Sequence, residues 1–161
     1  MKLYIKRDIS ADGGGFEVYD GLGAMKYSVS LLTERQKQQL IIRQVSGKAV
    51  AEIYNKAIFV RYFTVRCSTG FYILMPNLRP CFSFRIYGST YRFAGDLSSG
   101  RFSLYDVDKS PVMTQKKCWT RYGNGYELEI YNEEQEHFSL SCAICADLFI
   151  TAAEEDMVLT G

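Results

Sequence analysis

Alternating runs dominate the chain as far as Tyr131. Phe16-Glu17-Val18-Tyr19-Asp20, Tyr27-Ser28-Val29-Ser30, Phe63-Thr64-Val65-Arg66-Cys67 and Tyr126-Glu127-Leu128-Glu129-Ile130-Tyr131 each place apolar and polar residues in turn. A period of two puts the apolar side chains on one face of a strand and the polar ones on the other. Turn-forming clusters separate the runs, at Asp20-Gly21-Leu22-Gly23, Ser46-Gly47-Lys48, Ser98-Ser99-Gly100 and Gly123-Asn124-Gly125. Their spacing of about eight to twelve residues favours a barrel or sandwich. Twelve strands are expected between Lys2 and Tyr131. Those in Phe71–Phe84 are the weakest, because Pro76 and Pro80 interrupt them.

The two halves of this region resemble each other. Leu40-Ile41-Ile42, a turn at Ser46-Gly47-Lys48 and a run from Ala49 to Lys56 correspond to Phe102-Ser103-Leu104, a turn at Asp108-Lys109-Ser110 and a run from Pro111 to Lys117. The offset is constant, the same from Ile42 to Leu104 as from Val50 to Val112, which suggests a tandem repeat of six strands.

From about Glu134 to Ala153 the pattern changes. His137–Ala153 has no period of two, is rich in Ala and Leu, and scatters its few polar residues (Ser139, Ser141, Asp147, Thr151) around a helical wheel. A helix apolar nearly all round is either buried or membrane-spanning. The run falls short of the roughly 20 residues a bilayer needs, carries Asp147 in its middle, and has acids rather than lysines or arginines on both flanks. Burial is the better reading. Twelve strands closed into a cylinder enclose more space than strand side chains fill, and this helix is the right filler. The expected fold is mainly β: one domain over 1–161, a twelve-stranded closed antiparallel β-barrel around a buried central C-terminal α-helix at about 134–153. An apolar interior is the reverse of an outer-membrane barrel.

Charge sharpens the picture. All 19 lysines and arginines lie at or before Arg121, against nine acids there, a net +10; positions 122–161 hold nine acids and no lysine or arginine. The acids either neutralise the body from within or leave it a basic surface for an anionic partner. The five cysteines, an odd number without a disulfide-like spacing, and the absence of a signal-like apolar run at the start point to a reducing cytoplasm.

The candidate chemistry is sparse. Lys116-Lys117 with Arg121 nearby is the densest basic cluster and a candidate contact for an anionic headgroup or phosphate, each charge being worth about 1 kcal/mol at a membrane surface; a solvated strand end is the plainer explanation. Lys2, Lys6 and Arg7 form a weaker second cluster. Cys142-x-x-Cys145 lacks a second pair for zinc and reads as small core fillers. His137, the single histidine, sits at the start of the core helix after a run of acids, where capping or solvation is expected rather than catalysis. Asp106-Val107-Asp108 fails the rest of a calcium loop and reads as a hairpin turn. Gly13-Gly14-Gly15 lacks the Gly-Lys-Ser/Thr of a phosphate loop. Asp147, a carboxylate in an apolar helix, must be hydrogen-bonded, paired or neutral, and is expected to act as a polar latch holding the helix in the barrel.

The opening Met1-Lys2-Leu3-Tyr4-Ile5-Lys6, Phe16-Glu17-Val18-Tyr19-Asp20, Gly47-Lys48-Ala49-Val50-Ala51-Glu52-Ile53, Tyr91-Arg92-Phe93-Ala94-Gly95-Asp96, Val112–Lys117 and the helix with Ala146-Asp147 together resemble the LURP-one-related family and its YxjI-like bacterial members, within the tubby C-terminal-like and phospholipid scramblase-related group. That resemblance implies the same twelve-stranded barrel. It also implies a binding role, since tubby relatives hold phosphoinositide headgroups. The chain departs from scramblases in lacking a proline-rich N-terminal segment and a cysteine cluster there, so scrambling is not expected. The functional expectation is a non-catalytic binding protein without cofactor or metal, cytoplasmic or peripheral at a membrane, recognising anionic lipid headgroups or phosphates. The alternative is a regulatory or scaffolding protein acting through a protein partner. No nucleic-acid partner and no transmembrane segment are expected.

Overall fold

The computed structural model describes residues 1–8, 14–35, 37–57, 60–78, 81–120 and 123–160. Twelve strands follow one another: β1 Lys2–Arg7, β2 Gly15–Asp20, β3 Met25–Glu34, β4 Lys37–Gln44, β5 Ala49–Ala57, β6 Arg61–Cys67, β7 Gly70–Asn77, β8 Phe82–Tyr87, β9 Arg92–Asp96, β10 Arg101–Tyr105, β11 Pro111–Thr120 and β12 Gly123–Ile130. Each pairs antiparallel with its sequence neighbour, and β1 pairs with β12, so the sheet closes on itself. A closed sheet has no free edge to template aggregation. Pro76 is tolerated because it stands next to last in β7, opposite Phe84, where little of the ladder remains to be broken.

A 3-10 turn at Glu133–Gln135, capped by the Asn132 side chain accepting from the Glu134 amide, leads into helix α1, Glu136–Thr160. The helix is longer than the apolar run predicts. Positions 154–160 contain good helix formers and no glycine or proline, so nothing stops the helix where the apolar pattern ends. Among the described residues no helix is long and apolar enough to cross a membrane.

Burial follows the two periodicities. Inward residues such as Leu3, Ile5, Leu40, Ile42, Phe63, Val65, Phe93, Phe102, Leu104 and Leu128 meet Phe138, Leu140 and Cys142–Ala146 of α1, all essentially without solvent contact. Fully burying one such side chain is worth about 1.5–3 kcal/mol. Phe82, Phe84, Phe93 and Phe102 form a ring cluster on which Phe149 stacks at 5.3 Å. Gly95 is required where β9 meets β10: a Cβ there would lie 2.2 Å from the Arg101 carbonyl oxygen. The wall is polar outside and apolar inside, the opposite of a barrel that faces lipid.

The internal repeat is visible in backbone detail. The β4–β5 ladder slips at Ile42/Arg43 and the β10–β11 ladder at Leu104/Tyr105. The turns that follow use matching bonds, Gly47 N to Gln44 O and Lys109 N to Asp106 O, and both Gly47 (φ 94°) and Lys109 (φ 66°) take the left-handed conformation. Glycine fits that region at little cost; lysine does not.

Candidate functional site: a polar depression on the barrel wall

Lys116 and Lys117 are consecutive in an extended strand, so their side chains leave it on opposite faces. Lys116 points outward and lies 3.7 Å from Glu127. Lys117 lies at one open end of the barrel beside Gly100, to whose carbonyl its amide donates. The two lysines therefore do not form one patch. Arg121 lies outside the described residues.

The outward neighbour of Lys116 is Arg101, directly opposite it on β10. Counting the β10–β11 hairpin from its turn misses this pairing, because the bulge at Leu104/Tyr105 shifts the register by one and turns Arg101 onto the Lys116 face. Ladder partners then form a row across the outer wall, Asp96, Arg101, Lys116, Glu127, Tyr4 and Tyr19. A parallel row runs Ala94, Ser103, Thr114, Glu129 and Lys2. Between the rows lies a depression of about 320 Å³ lined by Arg101, Ser103, Thr114, Lys116, Glu127 and Glu129.

Its electrostatics are asymmetric. Two like charges directly opposite on adjacent strands oppose pairing. On one side Glu127 is shared, 3.3 Å from Lys2 and 3.7 Å from Lys116, so it neutralises neither cation fully. The Lys2 ammonium is held above its ordinary range chiefly by its hydrogen bond to Glu127. Two cations with two hydroxyls beside them suit a doubly charged oxyanion.

Asp147 is tied at the end of the barrel where Lys117 lies. Its Oδ2 accepts from Arg7 Nη2 at 2.5 Å and its Oδ1 from the Tyr126 hydroxyl at 2.9 Å. The same Arg7 nitrogen reaches Thr151 Oγ1 at 3.2 Å, and the guanidinium lies 5.4 Å from the centre of the Phe16 ring. At the other end of the helix Glu136 accepts from Lys26 at 2.6 Å and from the Tyr27 hydroxyl at 2.9 Å. Burial, and then that hydrogen bond, push the Tyr27 phenol up. His137 packs edge-on against Tyr27, and burial lowers its pKa. Among the described residues four ion pairs thus join a cation from the basic body to an acid from the segment after Arg121. This is how the basic body and the acidic C-terminal segment meet.

His137 also lines a second pocket of about 350 Å³ with Lys48, Glu52, Arg66 and Cys67. All five cysteines are free thiols, and burial raises those of Cys142 and Cys145 inside the helix. Asp106 and Asp108 bond within their own turn, to the Val107 amide and to Ser110. Gly13 lies outside the described residues.

The X-ray structure of a protein from Arabidopsis thaliana has the same fold, with a TM-score of 0.56 over 96% of this chain and 90% of that one at 13% identity. No curated protein matches the chain at significance. The family model described as LURP-one-related matches residues 1–147, which takes in every strand of the barrel and the helix as far as its buried carboxylate. The chain belongs to the LURP-one-related family.

Proposed function

We propose that this is a non-catalytic binding protein that takes a phosphate-bearing anion, whether a lipid headgroup or a free phosphate ester, in the depression between Arg101 and Lys116. The observation that carries the reading is the juxtaposition of these two cations across the β10–β11 ladder, with Ser103 and Thr114 one pair further along. Two facing cations oppose strand pairing; Asp96 and Glu127 on their outer sides reduce that opposition, and an anion between them would remove it. A phosphate would offer each cation a charge-assisted bond and each hydroxyl an acceptor. The acids set the position of such a ligand. Glu127 and Glu129 exclude it from the β12 side and confine it above β10 and β11. The two cations and two hydroxyls all stand on paired strands of the closed sheet rather than on loops, which would limit the entropy lost on binding.

Titration with inositol 1,4,5-trisphosphate and with inorganic phosphate tests the reading. The wild type should bind, more weakly as salt rises. Arg101→Gln with Lys116→Gln should lose about tenfold or more in affinity, since a hydrogen bond to a charged group is worth about 1.5–3 kcal/mol. Binding that is absent, or indifferent to both substitutions, would refute the site.

A further inference from the structure

In an up-and-down barrel the connections β1–β2, β3–β4, β5–β6, β7–β8, β9–β10 and β11–β12 all fall at one end, the end where Arg7 grips Asp147. The other connections fall at the opposite end, where Glu136 meets Lys26. Both ends expose aliphatic side chains at turns, where polar residues and glycine are the usual occupants. They differ in the charge beside them.

At the Arg7 end, Leu32 (56% exposed) lies in the β3–β4 hairpin, whose exposed charges are Glu34, Arg35 and Lys37, cations outnumbering the acid. Val60 (58%) stands between Lys56 and Arg61 in the β5–β6 connection. Leu97 (44%) lies in the β9–β10 turn next to Asp96, with two cations close by, Arg101 opposite Asp96 and Lys117 through its bond to Gly100. Leu78 (52%) follows β7. Arg35 occupies a left-handed position (φ 47°) that holds the hairpin tip in a tight turn. At the opposite end, Leu22 (95%) sits beside Asp20, whose carboxylate accepts from the Leu22 amide, and Val107 (71%) lies between Asp106 and Asp108. Val45 and Val107 each have one lysine in the turn, Lys48 and Lys109, and beside Val107 that lysine is outnumbered by two acids.

We propose that the Arg7 end is a membrane-docking rim: Leu32, Val60, Leu78 and Leu97 enter the headgroup layer of an anionic bilayer while Arg35, Lys37, Lys56, Arg61 and Lys117 meet its phosphates. Apolar tips gain by leaving water only if the cost of bringing the flanking charges to the surface is repaid, and an anionic leaflet repays cations and penalises acids. The Asp20 and Asp106–Asp108 turns would be repelled by the same surface. Helix α1 leaves through the docking end, and its last turns carry Glu154, Glu155 and Asp156 in the sequence. The rim must outweigh those charges, so the docking is salt-sensitive. The proposal rests on the headgroup-binding reading, with Arg101 shared between depression and rim.

Flotation with vesicles of phosphatidylcholine alone and of phosphatidylcholine mixed with phosphatidylserine tests it, in low and moderate salt. The wild type should float only with the anionic vesicles. Arg35→Gln with Lys37→Gln should lower the partition coefficient about 30-fold, from roughly 1 kcal/mol per cation at such a surface. Leu32→Ser/Val60→Ser/Leu97→Ser should abolish flotation, and Leu22→Ser/Val45→Ser/Val107→Ser at the opposite end should leave it unchanged. All of these positions are exposed, and circular dichroism verifies that each variant folds. Failure of the wild type to float, or an equal loss from the opposite-end triple, overturns the docking. The same rim variants titrated with inositol trisphosphate separate the two ideas. Soluble binding without flotation retains the depression and rejects the rim; rim-dependent flotation without soluble binding does the reverse.

Discussion

Replacing Asp147 by asparagine should destabilise the protein by about 2 kcal/mol, the value of one hydrogen bond between charged partners. The amide keeps an oxygen for the Tyr126 hydroxyl, but its NH2 then faces Arg7 Nη2, donor against donor, where 2.5 Å separated charge from countercharge. Such charged bonds span about 1.5–3 kcal/mol. The Asp147 side chain is only 12% exposed, which favours the upper part of that range, but Arg7 is 42% exposed and water screens it, which favours the lower. For a chain of this length about 2 kcal/mol corresponds to roughly 4–8 °C in melting temperature. Thermal unfolding followed by circular dichroism reads it. Arg7→Gln alone is ambiguous, because it also removes the contact with the Phe16 ring. The double-mutant cycle of Arg7→Gln with Asp147→Asn isolates the pair and should return a coupling of about 1 kcal/mol or more. A shift below about 1 °C for Asp147→Asn, or a coupling near zero, would refute the latch.

Other consequences are equally open to test. Lys109→Gly should raise stability by about 0.5–1 kcal/mol in urea unfolding, because it gives the second repeat the residue that the first uses at the same left-handed position. Gln115 is buried, and its amide oxygen and nitrogen both lack partners among the described residues; Gln115→Met keeps the volume and should stabilise by about 1 kcal/mol or more. His137 has a folded pKa below its ordinary 6.5, so the unfolded chain binds its proton first as pH falls. Its contribution is present above that value and lost as pH drops through it toward the folded pKa, and His137→Gln should flatten this part of the stability–pH curve. Cys142 and Cys145, buried with raised pKa values, should resist a thiol reagent until the protein unfolds, whereas exposed Cys81 should react in the native state.

The barrel and its helix were legible because both rest on periodicity. Alternation marks strands whatever their partners, and an apolar run too short and too acidic for a bilayer has to be buried. The constant offset between the halves even matched the bulges and left-handed turns. The candidate site was legible only in part, because it depends on register. Sequence proximity joined Lys116 to Lys117, yet pleating sends them to opposite faces. The true neighbour, Arg101, lies across a hairpin whose bulge moves the pairing by one residue, and nothing in Leu104-Tyr105 announces it. The charge split was plain in composition, but composition does not say which acid meets which cation. The exposed turn aliphatics carried no periodic signal, and they gained meaning only when the closed topology sorted them to two ends.

Backbone amide shifts of the labelled protein, titrated with inositol 1,4,5-trisphosphate, test the central claim most directly. The account predicts saturable shifts concentrated at Arg101–Ser103 and Thr114–Lys116, lost in Arg101→Gln/Lys116→Gln and weakened by salt. Saturable shifts centred elsewhere, such as the His137 pocket, or no shifts at all, would contradict it.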